Sequence, residues 1–111
     1  MIESIDDCRE ACLECHRICL ETASYLSTAP QPVDAEDIRL LFNTADVCRA
    51  SAGLLRGNSD RSGQAYAACA ALCEETARYL DLLGDDPRVH RCAEACRRCA
   101  AACRGVAMLA A

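Results

Sequence analysis

The chain has 111 residues, a length that suits one small domain. Its formal charge of −5 argues against nucleic acid as a main partner, because phosphate binding relies on a positive surface. Apolar residues make up 52% of the chain, yet there is no Trp, there is one Phe, and Gly and Pro are few, which is typical of a helical protein.

Capping residues and helix breakers define the first two predicted helices. Ser4, with Asp7 three residues later, resembles a capping pair at the start of the first helix, and Pro30 ends that segment. Asp34 can cap the second helix, which Gly57 closes.

The same signals define the last two helices. Gly84 is the C-terminal signal of the third, and Asp86-Pro87 supplies an N-cap followed by proline at the first helical position. The predicted helices span about residues 5–26, 35–56, 61–83 and 87–109. Because they are nearly equal in length and closely connected, we expect an all-α, up-down-up-down four-helix bundle that forms a single domain over residues 1–111.

An internal repeat indicates that the bundle consists of two related helical hairpins. Residues 15–26 (CHRICLETASYL) align without gaps on residues 69–80 (CAALCEETARYL), and residues 45–49 align more faintly on residues 93–97. Apolar side chains near one end of the bundle are expected to form a conventional core. They are Tyr25, Leu26, Leu41, Leu80, Leu83 and Val89.

Eleven cysteines dominate the chain, and eight of them form two quartets with the same C-x3-C-x2-C-x3-C spacing. Steps of four, three and four are helical steps, so each quartet lies on one side of its helix. The first quartet is Cys8, Cys12, Cys15 and Cys19, the second is Cys92, Cys96, Cys99 and Cys103, and the others are Cys48, Cys69 and Cys73. With antiparallel helices rising 1.5 Å per residue, all the thiols fall in one continuous section of the bundle.

A thiol-lined interior predicts a soft metal ion, since thiolates select Cu(I), Zn(II) or iron–sulfur clusters. Zinc prefers closed sites of four ligands presented by loops, so ligands ranked along helices suit it less well. Cu(I) accepts two or three sulfurs and lets thiolates bridge. A ratio near one metal per thiolate then gives a nearly neutral buried array.

Two further motif matches are interpreted as accidental. Cys8-x3-Cys12-x2-Cys15 fits the spacing of radical-SAM cluster sites, and the run that ends at Cys19 is similar to part of a ferredoxin motif. A single cubane needs ligands that converge from a loop, and ferredoxins follow their last cysteine with proline where this chain has Leu20.

The chain resembles the cytosolic four-helix-bundle copper storage proteins over nearly its whole length. The most specific segments are residues 8–19, 37–48 and 92–104, although Asp37 and Thr44 stand where such relatives often have Cys. The resemblance implies that the cysteines point into the bundle, that each of the eleven is a Cu(I) ligand, that several ions bind per chain and that the bundles form homotetramers. Apolar groups such as Phe42, Tyr66 and Met108, which we expect to need cover, agree with assembly.

The N-terminal sequence and the positions of the two histidines limit the possible cellular location and function of the protein. The acidic N-terminus lacks the features of a signal peptide, and no apolar run reaches membrane-spanning length, so we expect a soluble cytoplasmic protein without a membrane partner. His16 lies off the direction of its cysteine stripe and His90 lies opposite Cys92, so neither is expected to bind metal or to activate a thiol. We therefore predict a binding protein and no enzyme.

Storage or buffering of Cu(I) is the leading interpretation, and two other classes stay open. A regulatory protein that senses copper or another metal such as Zn(II) needs few thiols and a basic DNA-binding face, which this acidic chain does not offer. A thiol-redox or disulfide-stapled helical protein conflicts with the expected cytoplasmic location and with the odd number of cysteines.

Overall fold

The protein folds into four antiparallel helices, as the sequence predicts. The structure is a computed structural model and describes residues 5–30, 33–56 and 63–110. The helices are α1 (Ile5–Ser27), α2 (Ala35–Arg56), α3 (Gly63–Asp81) and α4 (Pro87–Ala110). Each helix packs mainly against two others, in the cyclic order α1, α2, α3, α4, and the α1/α2 and α3/α4 hairpins are the most closely packed pairs. This is an up-down-up-down four-helix bundle.

Asp86 fixes the start of α4 in the predicted way. The backbone N–H of Arg88 donates to Oδ1 of Asp86 at 2.9 Å, so Asp86 is the N-cap and Pro87 occupies the first helical position. The Tyr25 hydroxyl donates a short hydrogen bond to Oδ2 of the same carboxylate. One side chain therefore caps α4 and joins it to the C-terminal part of α1.

The third helix ends two residues earlier than predicted. The N–H of Leu82 bonds to the carbonyl of Tyr79 at 3.0 Å, and the N–H of Leu83 bonds to that of Leu80 at 3.1 Å. These three-residue steps tighten the chain into a turn before Gly84, whose φ of +101° is open to glycine. The periodic apolar pattern continues through the turn, which is why the sequence predicts a longer helix.

Three of the predicted boundary signals lie outside the described residues. They are the capping serine at Ser4, the closing Gly57 and the start of the third helix at Arg61.

Apolar layers lie beyond the cysteines at both ends of the bundle. At the end where α1 and α3 finish, Leu26, Leu41, Leu80 and Val89 are buried as predicted, whereas Tyr25 and Leu83 are half-buried. At the other end, the buried side chains are Leu55, Tyr66 and Val106. The expectation that Tyr66 needs cover is wrong, because it lies one turn before Cys69 on the inward face of α3.

Several large apolar side chains remain on the surface of the single chain. Phe42 is 42% exposed and Met108 is 74% exposed, as the sequence predicts, and Leu82 and Leu109 are also exposed. No helix within the described residues is long and apolar enough to cross a membrane.

We predict that the reduced, metal-free protein is already helical, because the apolar layers pack on neutral thiols without needing an ion. Far-ultraviolet circular dichroism of the metal-free protein under anaerobic reducing conditions measures this. A chain that becomes helical only after metal is added would contradict the prediction and would indicate metal-nucleated folding.

Candidate metal centre

All eleven cysteines face the interior of the bundle and are fully buried, and all are free thiols. Helices α1 and α4 each contribute a quartet, α2 contributes Cys48, and α3 contributes Cys69 and Cys73. We call this continuous set of eleven sulfurs the thiol column. The four-three-four spacing makes the column, since it keeps successive side chains on one side of each helix.

Sulfur-to-sulfur contacts join α1 to α4 along most of the column. The Sγ of Cys103 lies 4.0 Å from that of Cys8 and 3.6 Å from that of Cys12. At the opposite end, the Sγ of Cys19 lies 3.8 Å from those of Cys92 and Cys96. The two quartets therefore meet in register, with the first cysteine of one near the last cysteine of the other.

We call the end of the column near Cys19 and Cys92 the upper end and the end near Cys8 and Cys103 the lower end. Helices α2 and α3 add sulfurs to the lower and middle parts of the column. The Sγ of Cys48 lies 3.6 Å from that of Cys73, 4.0 Å from that of Cys69 and 3.8 Å from that of Cys99 on α4. Cys99 in turn contacts Cys12 at 3.7 Å. Cys48 is thus one of the sulfurs that join the α2/α3 side to the α1/α4 side.

Three groups of sulfurs are compact enough to hold a metal ion, and the sulfurs of each lie within 4.8 Å of one another. A metal–sulfur bond of about 2.3 Å allows one ion to bridge sulfurs at these separations. The groups are Cys12, Cys69, Cys99 and Cys103; Cys15, Cys48, Cys73 and Cys99; and Cys15, Cys19 and Cys96. Cys99 belongs to both the first and the second group, and Cys15 belongs to both the second and the third. The three groups therefore join into one array.

A pair of threonine hydroxyls replaces sulfur on the α2/α3 side at the upper end. Thr44 lies one turn before Cys48 and Thr76 lies one turn after Cys73, both side chains are fully buried, and their Oγ1 atoms are 2.8 Å apart. Each Oγ1 also lies 2.8 Å from a carbonyl of its own helix. Two hydroxyl hydrogens serve these three contacts, so one threonine donates to the other, which donates to its own helix. The signal in the sequence that could have indicated a buried hydroxyl at Thr76 is the internal repeat, which aligns Thr22 with Thr76.

Hydrogen bonds between the sulfurs shift the thiol pKa values in both directions: those of Cys8, Cys69, Cys96 and Cys99 are lowered, and those of the other seven are raised. Hydrogen bonds from the Cys48 thiol to Cys15 and other neighbouring sulfurs, with burial as a further cause, raise the pKa of Cys48 above its ordinary value. Hydrogen bonds to Cys12 and other sulfurs, again with burial, raise the pKa of Cys103. Because like charges repel strongly in such an interior, many adjacent thiolates require cations beside them.

Neither histidine lies in the thiol column. Nδ1 of His16 lies 2.8 Å from the carbonyl oxygen of Ala45, and as an N–H donor it joins α1 to α2. His90 is exposed, with Nε2 at 3.9 Å from a carboxylate oxygen of Asp85. The sequence-based placement of both residues away from the cysteine stripes is in agreement with these positions.

The fold and the site define a class of protein: a four-helix bundle whose interior is built to hold soft metal ions. A family described as "Copper storage protein" matches residues 1–108, and the chain belongs to that family. A protein of Nitrosospira multiformis of known crystal structure is similar, with 30% sequence identity, a TM-score of 0.83 and coverage of 95% of both chains. No protein of curated function matches. Family membership and the buried cysteine groups together support copper binding.

We predict that Thr44→Val and Thr76→Val each lower the free energy of unfolding by about 1 kcal/mol, because each removes the threonine-to-threonine hydrogen bond. The double Val variant should be little worse than either single variant, since both partners are then replaced by apolar groups of the same shape. Urea unfolding of the reduced metal-free protein measures these values. Additive losses in the double variant would contradict the hydrogen-bonded pair.

Proposed function

We propose that the protein stores or buffers Cu(I) in the cytoplasm, with all eleven cysteines as ligands and several ions per chain. The observation that carries this proposal is the single buried array of sulfurs within the core, in a chain of the copper storage family. A regulatory or catalytic site needs only a few such groups. An array of this size instead suits the holding of many ions.

Charge balance favours a monovalent soft ion over zinc. If each Cu(I) takes two thiolates and each thiolate bridges two ions, the metal-to-sulfur ratio approaches one and the filled column is neutral. A divalent ion at the same ratio would leave a large positive charge in a buried interior. The empty column is close to neutral when its thiols keep their protons, because a buried thiolate without a cation beside it is costly. The same core is therefore tolerated both empty and filled.

The binding role follows from the surroundings of the thiols. A catalytic cysteine needs a base and an activating environment, and the two histidines lie away from the column. We therefore assign no catalytic residue. The cytoplasmic location that we propose agrees with eleven free thiols, which a reducing compartment maintains.

We predict that the protein binds several Cu(I) ions, approaching about one per thiol, and that single losses reduce the capacity in steps. Cys15→Ala should remove about one or two equivalents, because neighbouring thiolates re-coordinate the rest. Replacing Cys12, Cys15, Cys96 and Cys99 together by Ala should abolish most binding while the helices persist, since Ala favours helix.

The measurement is an anaerobic Cu(I) titration against a competing chelator, with circular dichroism of each variant as the folding control. Saturation of the unaltered protein at one or two ions per chain would refute storage. Loss of all binding in Cys15→Ala would indicate one discrete site instead of an array.

We predict that loading releases about one proton per Cu(I) bound, because a buried thiol that has no cation beside it stays neutral and must lose its proton to bind metal. The apparent affinity should therefore fall by about tenfold for each pH unit lost below neutrality. A pH-stat titration counts the protons. Loading without proton release would show that the empty column already consists of thiolates.

We propose a homotetramer as the assembled state, on the basis of the family resemblance and of exposed apolar side chains such as Phe42. Size-exclusion chromatography with light scattering should give four times the monomer mass of 12.0 kDa at micromolar concentration. Phe42→Glu should shift the protein toward smaller species if α2 contributes to the interface. A mass near 12.0 kDa for the unaltered protein would refute assembly.

A further inference from the structure

The two ends of the thiol column differ in their supply of sulfur. Two of the metal-sized groups draw sulfurs from three or four helices, but the upper group of Cys15, Cys19 and Cys96 draws only from α1 and α4. At a rise of 1.5 Å per residue, the Thr44–Thr76 pair lies about 5 Å beyond Cys48 and Cys73, level with this group. Hydroxyl oxygen is a poor ligand for Cu(I), so an ion there has fewer alternative sulfurs and exchanges most readily.

A surface cleft lies close to the column at this same end. The cleft has a volume of about 350 Å³ and lies between α1 and α4, lined by Ile18, Glu21, Thr22, Tyr25, Arg88 and Arg91. Thr22 is 4% exposed, and its hydroxyl lies within hydrogen-bonding reach of the Cys92 sulfur. One side chain therefore separates the cleft from the last thiol of the column.

The cleft is locally cationic on an acidic protein. Arg88 lies over the ring of Tyr25, 4.8 Å from its centroid, and within the described residues neither Arg88 nor Arg91 forms an ion pair with a carboxylate. By contrast, Arg97 and Arg104 on the same helix pair with Asp81 and Glu74. Two guanidiniums without an ion pair in one cleft can bind a ligand with carboxylate groups, which arginine binds in a bidentate manner.

We propose that this cleft is the site of Cu(I) exchange and that it receives Cu(I) from a small thiol that carries carboxylates. The proposal rests on the proposed storage function. The cleft volume lies at the small end of the range for ligand pockets, about 300–1,000 Å³, which fits a molecule of about tripeptide size. Arg88 and Arg91 bind the carboxylates.

The transfer is a ligand exchange that leaves copper as Cu(I). A bond forms between Cu(I) and the Cys92 sulfur, and the bond between Cu(I) and the sulfur of the small thiol breaks. The proton of Cys92 moves to the departing thiolate, so the small thiol leaves with its sulfur protonated and no oxidant or reductant is needed. The ion then passes along the neighbouring sulfurs, beginning with Cys19 at 3.8 Å from Cys92.

The test uses Cu(I)–glutathione as an anionic donor and Cu(I)–2-mercaptoethanol as a neutral one. Stopped-flow transfer to the Arg88→Gln/Arg91→Gln variant should be slower than to the unaltered protein by at least about threefold from glutathione at low ionic strength, and unchanged from 2-mercaptoethanol. Arg98→Gln is the matched control, because Arg98 lines a different groove between α1 and α4 together with acidic side chains. It should transfer at the unaltered rate.

Two further measurements test the cleft separately from the capacity of the protein to bind Cu(I). S-methylglutathione keeps the charged groups but cannot ligate through a thiolate, and its nuclear magnetic resonance signals should broaden with the metal-free protein and not with the double variant. Cys92→Ala should lose the fast phase of transfer from glutathione.

Equal rates from glutathione in the double variant, equal slowing with both donors, or a fast phase that persists in Cys92→Ala would each overturn the exchange cleft. Failure of the unaltered protein to bind Cu(I) at equilibrium would instead overturn the storage function. Binding of S-methylglutathione is independent of that result, so the two failures are distinguishable.

Discussion

The structure depends on the contact between sulfur atoms of facing antiparallel helices. A thiol is small, apolar enough to bury and nearly indifferent to its neighbour, so a column of thiols packs without unsatisfied polar groups. The same atoms become strong ligands once they lose a proton. Burial controls that step, because a buried thiolate without a cation beside it is costly. The low-dielectric interior therefore couples metal binding to proton release.

This coupling explains why the core can consist of ligands and still be a core. In most proteins a buried ionisable array would demand fixed partners and would weaken the fold when they were absent. Here the empty state replaces each metal ion by a proton and keeps its charge close to zero. The apolar layers beyond both ends, from Leu26 to Val89 and from Leu55 to Val106, pack in either state. Four packed helices then hold the column at constant spacing.

The bundle consists of two similar helical hairpins, but the two ends of its thiol column have different chemical groups beside them. The threonine pair and the Thr22 hydroxyl form a polar layer between the upper sulfurs and the apolar end, whereas the lower sulfurs lie directly against Tyr66 and its neighbours. Because oxygen is a poor ligand for a soft ion, this polar layer limits how far along the column such an ion can be held. On the outer surface, Arg88 and Arg91 beside Thr22 form no ion pair within the described residues, whereas Arg97 and Arg104 on the same helix do.

The sequence by itself determined the helices and the burial of the cysteines. Helical spacing of the quartets, the Asp86-Pro87 cap and the Gly84 stop are local signals, and local signals act through the backbone geometry that every chain shares. They could not determine which sulfurs lie within bonding distance across helices, because that depends on the rotation of each helix about its own axis. Only the tertiary structure showed that Cys48 joins the two sides, that Thr44 pairs with Thr76 and that Tyr66 turns inward. Those contacts come from the packing of residues distant in sequence, and packing is decided by the whole core at once.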